Sequence, residues 1–216
     1  LRAGGPIPKQ FVKVHGMPVL RRSADAFAGL KSIVVVVNPD DRALAEQALQ
    51  GGKALVRLVA GGSSRQASVR AGLEALSDEG PDIVLIHDAA RPLVTRETIQ
   101  AVMSALSGAD GAIPCAAVAD TLKAGASGLV TGTVSRDGLW RAQTPQGFRY
   151  EKILAAHRMA EGEDLTDDAA VAERAGMSVA IVPAPATNIK LTTPEDFKMA
   201  EALLAAQIGD IRTGSG

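Results

Sequence analysis

Cysteine is nearly absent from this chain: Cys115 is the only one in 216 residues, so no internal disulfide can form. An excess of either charge is missing too. The 23 Lys and Arg against 24 Asp and Glu leave a net charge of −1, with a pI of about 6.4. No global basic field draws nucleic acid or an anionic membrane, and no local basic patch takes its place. No apolar run approaches the roughly 20 residues that a membrane-crossing helix needs, and no signal peptide is visible. These absences argue against a disulfide scaffold, a membrane span and a nucleic-acid binder. A cytoplasmic enzyme or binding protein is the class that fits.

A hydrophobic content of 46% allows one sizeable core, and the length suits one main domain. The β-branched run "SIVVVVN" (32–38) precedes a helical spacing of alanines and leucines in "DDRALAEQALQ". The unit recurs: "LVRLVAGG" precedes "SSRQASVRAGLEAL", "DIVLIHD" precedes "TRETIQAVMSAL", and "GAIPCAAVA" opens the next segment. Alternating apolar strands and helices predict an α/β fold, a three-layer sandwich around a mostly parallel sheet. Ligands in such folds bind at the carboxyl ends of the strands.

The rhythm breaks over residues 120–148, where "DTLKAGASGLVTGTVSRDGLWRAQTPQGF" has alternation and glycine punctuation but no helical period. This stretch is predicted to be a projecting β-arm. Helical pattern returns in "YEKILAAHRMA" and "TDDAAVAERAG", and the strand "SVAIVPA" leads through "TNIKLTTPEDF" into a last helix capped by Thr193 with Pro194 at its first position. The main domain is expected over 1–207. The chain opens at "LRAGG", already in a glycine-rich loop, and a buried first strand is expected ahead of it.

Chemistry-bearing residues gather at the predicted strand ends. Arg2 and Lys9 flank a glycine-containing segment, where amides can approach phosphate and cations can neutralise transferring charge; an ordinary solvated loop is the competing reading. Gly61 and Gly62 offer a backbone platform for a nucleobase, with Ser63 or Ser64 as helix cap and the Ser68 hydroxyl nearby, or else a plain strand-to-helix turn. Asp88, one residue beyond "DIVLIH", points out of the carboxyl edge, able to orient a polyol or approach a metal-bound phosphate, and Arg91 three residues on can simply pair with it. His87 is assigned to the strand, with no catalytic role. Arg136, Trp140 and Lys190 are further candidates against a background of solvated charge and packing anchor. In "TDD", Thr166 reads as a cap, with Asp167 and Asp168 favouring the helix dipole.

In this order, "PKQF", "GGSSRQASV", "HDAARP", "DTLK", "LWRAQTPQGF", "TDDA" and "NIKLTTPEDF" resemble the 2-C-methyl-D-erythritol 4-phosphate cytidylyltransferases of non-mevalonate isoprenoid biosynthesis, from residue 2 to about 204. The resemblance implies a Rossmann-like nucleotidyltransferase that moves CMP from CTP to the phosphate of methylerythritol phosphate, releasing pyrophosphate with Mg²⁺. It implies that Arg2 and Lys9 contact the triphosphate, and that Gly62 and Ser68 read cytosine. It puts Asp88, Arg91, Thr166 and Lys190 around the acceptor, with Lys190 also near the reacting phosphate and joining Arg2 and Lys9 as catalytic. Thr121, Arg136 and Thr144 match an arm that reaches across a homodimer to the partner's acceptor site. No metal ligand is assigned. The final "DIRTGSG" resembles the start of 2-C-methyl-D-erythritol 2,4-cyclodiphosphate synthase, so residues 208–216 are expected to be a linker into a fused second domain, with higher assembly through it. Competing functions are a ribitol phosphate or sugar phosphate nucleotidyltransferase and a non-catalytic nucleotide-binding assembly module.

Overall fold

A computed structural model describes residues 7–163 and 165–213, with side chains through residue 206. Lys9–Phe11 makes a 3-10 turn, and the short strands β1 (Lys13–Val14) and β2 (Met17–Pro18) pair before α1 (Val19–Asp25). The valine run forms β3 (Ile33–Val37). Asn38 accepts the Asp40 amide at 3.1 Å to start the turn into α2 (Arg42–Leu49). Next come β4 (Val56–Ala60), α3 (Arg65–Glu74), β5 (Ile83–Ile86), α4 (Arg96–Ala105) and β6 (Gly111–Ala117). Ser64 and Thr95 cap α3 and α4 with their hydroxyls, which satisfies amides that a helix start leaves without partners. Beyond β6 lie β7 (Leu122–Ala126), β8 (Leu129–Val134), β9 (Trp140–Ala142), β10 (Gln146–Arg149), α5 (Tyr150–Met159), α6 (Asp168–Arg174), β11 (Val179–Pro183) and α7 (Pro194–Thr213).

The α/β sandwich is as expected, but its sheet is mixed. β3 pairs in parallel with β4, and β6 with β11. β10 lies antiparallel between β5 and β6. Helices cover both faces. On one side Leu73, Tyr150, Ile153, Leu154, Val171 and Ala172 close over Phe148, and the Tyr150 hydroxyl donates to the Leu73 carbonyl at 2.9 Å, tying α5 to α3. On the other, Val102 of α4 and Leu106 at its C-terminal cap pack on Ala112 and Val182, while Leu191 joins Val14, Val19, Ala200 and Leu204.

Between β3 and β5 the sheet is interrupted. Neither strand has a second strand partner on its facing edge among the described residues. An apolar cleft of about 640 Å³ runs from Leu20 and Ala24 of α1, and Phe27 just beyond it, to Val69 and Leu73 of α3, between the edges of the two strands.

The arm is shorter than the sequence reading has it. Residues 140–149 belong to the body: β9 pairs with β6 through Cys115↔Ala142 to Ala117↔Trp140, and β10 sits in mid-sheet. The reading missed β10 because "QGFR" lacks a β-branched run. What it has instead is Gly147, where an added Cβ would stand 2.7 Å from Val102 and 3.0 Å from Leu85, so that only glycine lets α4 pack this close. The projecting part is the β7–β8 hairpin. Its two-residue turn at Ser127 and Gly128 has φ of 51° and 80°, the doubly left-handed turn that matches strand twist. At the other end, α7 runs through Thr213 where a linker was expected from 208, because "EALLAAQI" is strongly helix-forming and the lone Gly209 costs only about 1 kcal/mol.

Candidate active site

β5 ends at Ile86, and His87 and Asp88 follow beyond the sheet's carboxyl edge. The Arg91 amide returns to the Asp88 carbonyl at 2.9 Å and closes a turn. His87 is the pin of this turn. Its Nε2 lies 3.0 Å from the Arg91 carbonyl, which can only accept, so Nε2 carries the proton and Nδ1 is an acceptor. The Thr144 hydroxyl, 3.0 Å from Nδ1, therefore donates to the ring, while its oxygen accepts the Asp88 amide at 3.0 Å. What exposure the ring retains is toward the apolar cleft. Burial lowers its pKa to about 4, against the opposing pull of the Arg91 carbonyl and Asp88, so the imidazole is neutral at pH 7.

Asp88 gathers cations from three parts of the chain. Its Oδ2 is 2.9 Å from Lys190 Nζ and 3.7 Å from Arg91 Nε, and its Oδ1 is 3.7 Å from Arg65 Nε. Burial alone would raise its pKa, but the Lys190 hydrogen bond and charge, with Arg65 and Arg91, hold it below the usual carboxylate range. Lys190 is fixed by its neighbours: Leu191 is fully buried and its amide donates to the Ala90 carbonyl at 2.8 Å, while Asn188 is buried on the other side. Asn188 Nδ2 donates to Gln143 Oε1 at 3.1 Å and to the Thr144 carbonyl at 2.9 Å, and its own carbonyl accepts from Arg91 Nη1 at 2.7 Å. "QTPQ" and "NIK", distant in sequence, thus form one buried network behind the cations.

On the neighbouring strand end, Ser64 caps α3 and the Gly62 amide donates to Ser68 Oγ at 3.1 Å, while that hydroxyl donates to the Ser64 carbonyl at 2.9 Å. A Cβ at Gly62 would lie 2.5 Å from that of Ala67. Lys9 is brought to the same edge: burial lowers its pKa, the nearby Lys190 charge lowers it further, and Asp88 and Asp196 oppose. Phe11, two residues on, packs with Val37 and Ala89 at the ends of β3 and β5.

Lys9, Gly62, Ser68, Asp88, Arg91 and Lys190 therefore share one carboxyl edge. Arg2 lies outside the described residues. Thr121 and Arg136 stand exposed on the arm, where Arg136 meets the Ala119 carbonyl. Thr144, expected on the arm, is instead 4% exposed in the body beneath His87 and Asp88, because β9 and β10 are sheet strands. Thr166 is exposed but is not the cap of α6; Asp167 accepts the Ala170 amide at 2.9 Å in that role. Sequence reasoning passed over Arg65, Gln143, Gln146 and Asn188. The last three are polar residues inside segments that carry the resemblance, and their burial shows only in the fold. Among the described residues no three His, Cys, Asp or Glu side chains gather to hold a metal ion, and Asp88 is already engaged by cations.

The family model described as 2-C-methyl-D-erythritol 4-phosphate cytidylyltransferase (IspD) matches residues 1–206. An enzyme of that description from Cereibacter sphaeroides is 51% identical over 211 residues, covering 96% of this chain and 93% of that one. The "Bifunctional enzyme IspD/IspF" of Rhodospirillum rubrum is 51% identical over 218 residues, all of this chain but 56% of that protein; the chain spans about half the length of such relatives. Among solved structures, 2-C-methyl-D-erythritol 4-phosphate cytidylyltransferase from Thermus thermophilus superposes with a TM-score of 0.81 at 35% identity, covering 92% of this chain and 94% of that one.

Proposed function

The chain belongs to the 2-C-methyl-D-erythritol 4-phosphate cytidylyltransferase family of nucleotidyltransferases, and from that premise we propose that the edge around Asp88 transfers CMP from CTP to 2-C-methyl-D-erythritol 4-phosphate. The acceptor's phosphate oxygen bonds to the α-phosphorus of CTP, the α–β phosphoanhydride bond breaks, and pyrophosphate leaves with the electron pair. A phosphate monoester is already anionic at neutral pH, so the step needs no general base. It needs cations that bring two polyanions together and stabilise the charge of the transition state.

One observation carries this reading: Lys9 and Lys190, far apart in sequence, are brought to one strand end, close enough for the Lys190 charge to add to burial in disfavouring that of Lys9. A polyanion relieves that repulsion. In this reading Gly62 and Ser68 meet the cytosine, Lys9 the triphosphate with Arg2, and Lys190 the reacting phosphates, while Asp88 and Arg91 orient the acceptor beside Thr166. Mg²⁺ would share with Lys9 the neutralisation of the triphosphate charge; the described residues offer no three-ligand cluster of His, Cys, Asp or Glu to hold it. The β3–β5 cleft, apolar on both walls, supports the expected first strand of the sheet.

The arm is read as a dimer element that brings Thr121 and Arg136 to the partner's site. Leu129 and Val130 on it are 73% and 69% exposed, and a lone hairpin is marginal in water without a surface to dock on. The bifunctional relatives support reading the chain as the amino-terminal half of a fusion with a cyclodiphosphate synthase.

Pyrophosphate release from CTP, measured with methylerythritol phosphate and with ribitol phosphate, tests the activity. Preference for the first is expected, preference for ribitol phosphate reassigns the acceptor, and CTP binding without release from either leaves only a binding module. For the arm, Arg136→Ala and Lys190→Ala chains are mixed. Each alone is expected to be nearly inactive, and the mixture to regain activity because one site per mixed dimer keeps both residues. If subunits exchange and nothing is regained, Arg136 works in its own chain.

A further inference from the structure

Arg65 stands between two carboxylates on opposite sides of the site. It is the first residue of α3, half-exposed at 37% of its side chain, and its Nη2 lies 2.6 Å from Asp168 Oδ2 while its Nε faces Asp88 Oδ1 at 3.7 Å. Asp168 is wholly buried, so its charge is costly unless paired. Its other oxygen is 3.2 Å from Nε2 of the equally buried His157 on α5, yet neither that oxygen nor either ring nitrogen makes a hydrogen bond. Among the described residues the Arg65 guanidinium is therefore the hydrogen-bonding cation of Asp168. Asp168 in turn is braced: α6 begins with it, and Gln146 holds that helix start by donating to Asp167 Oδ2 at 2.8 Å and accepting the Ala169 amide at 2.9 Å.

We propose that Arg65 is a positioning residue for the transfer: anchored on buried Asp168, it fixes the Asp88 carboxylate that orients the acceptor. The planar guanidinium is suited to this, since it presents donors in a rigid fork to two acceptors at once, which the single ammonium of lysine does not. α6 and its Gln146 brace thereby act on the site from a distance, through Asp168 and Arg65. The inference rests on the acceptor role read above for Asp88.

The test uses steady-state kinetics of Arg65→Lys, Asp168→Asn, Asp88→Asn and the Arg65→Lys/Asp88→Asn double variant, with melting curves for each. Displacing an orienting group typically costs on the order of 10- to 100-fold. A rise of that size in KM for the acceptor, with KM for CTP little changed, is expected for Asp168→Asn, whose side chain is buried away from substrate. Arg65→Lys is expected to do the same despite keeping its charge, and to add little in the Asp88→Asn background. A merely structural Asp168 lowers the melting temperature while leaving both KM values within about threefold, and that result overturns the proposal, as does full additivity of Arg65→Lys with Asp88→Asn. If Asp168→Asn does not fold, the Arg65→Lys pair decides. If the parent enzyme itself makes no pyrophosphate with methylerythritol phosphate, the function assigned above fails, and a crystal structure of Arg65→Lys decides the inference alone: a displaced Asp88 carboxylate upholds it and an unmoved one overturns it.

Discussion

Acidification measures how firmly the turn after β5 is held, because His87 is satisfied there only as a neutral ring. Nε2–H donates to the Arg91 carbonyl and Nδ1 accepts from Thr144. Protonating Nδ1 would turn that acceptor into a second donor aimed at a hydroxyl oxygen already receiving the Asp88 amide. The unfolded chain takes up this proton near pH 6.5, and the folded chain not until about 4. Across that window the unfolded state binds more protons, so stability falls as pH falls through it. The gap of about 2.5 pH units corresponds to about 3 kcal/mol once both states are protonated, at 1.36 kcal/mol per unit. About 2 kcal/mol of it is lost by pH 5, and almost none at pH 7. Urea denaturation of the parent and of His87→Gln, each between pH 7.5 and 5, isolates the effect, since glutamine still donates and accepts but does not titrate. The parent is expected to lose about 2 kcal/mol more than the variant on going to pH 5. Parallel curves, or an NMR titration putting His87 near 6.5, would refute the hydrogen-bond assignment on which the site's geometry rests.

Lys190→Ala is expected to fold normally and lose roughly 10²–10³ in turnover, the usual effect of removing one preorganised electrostatic donor; turnover within about threefold of the parent removes it from the mechanism. Asp88→Asn frees Lys190 and loosens Arg91 while keeping size, so KM for the acceptor should rise with CTP binding little altered, and equal weakening of both would make Asp88 structural. Gly62→Ala puts a methyl 2.5 Å from the Ala67 Cβ; the strand-to-helix turn must shift, costing about 1–3 kcal/mol and weakening CTP binding, and unchanged calorimetric affinity for CTP would dismiss the nucleobase platform.

Much of this was legible in the chain. The valine and isoleucine runs of β3 and β5 and the helical spacing of α2 and α4 appear where periodicity puts them, and five of the residues singled out from the sequence, from Gly62 to Lys190, meet at one edge because strand ends in an α/β fold share it. What escaped was whatever depends on a distant partner. β10 looks like arm because its strand character comes from burial between β5 and β6, not from its own residues. Asp168 looks like a dipole residue until Arg65, 103 positions away, is found beside it. Asn188 and Gln143 carry no local period, and only the closed network shows why they are polar.

The β7–β8 hairpin has a consequence for how such a protein diverges. All of β8 and all of β7 but Leu122 face outward, so substitutions there are almost invisible to the chain's own folding stability. Core residues such as Phe148 or Leu191 change only at the risk of unfolding, whereas arm residues answer to whatever the arm touches. Whatever the arm contacts is thereby separated from foldability, and a lineage can retune that contact by accumulating changes on the arm without first acquiring compensating stability in the body.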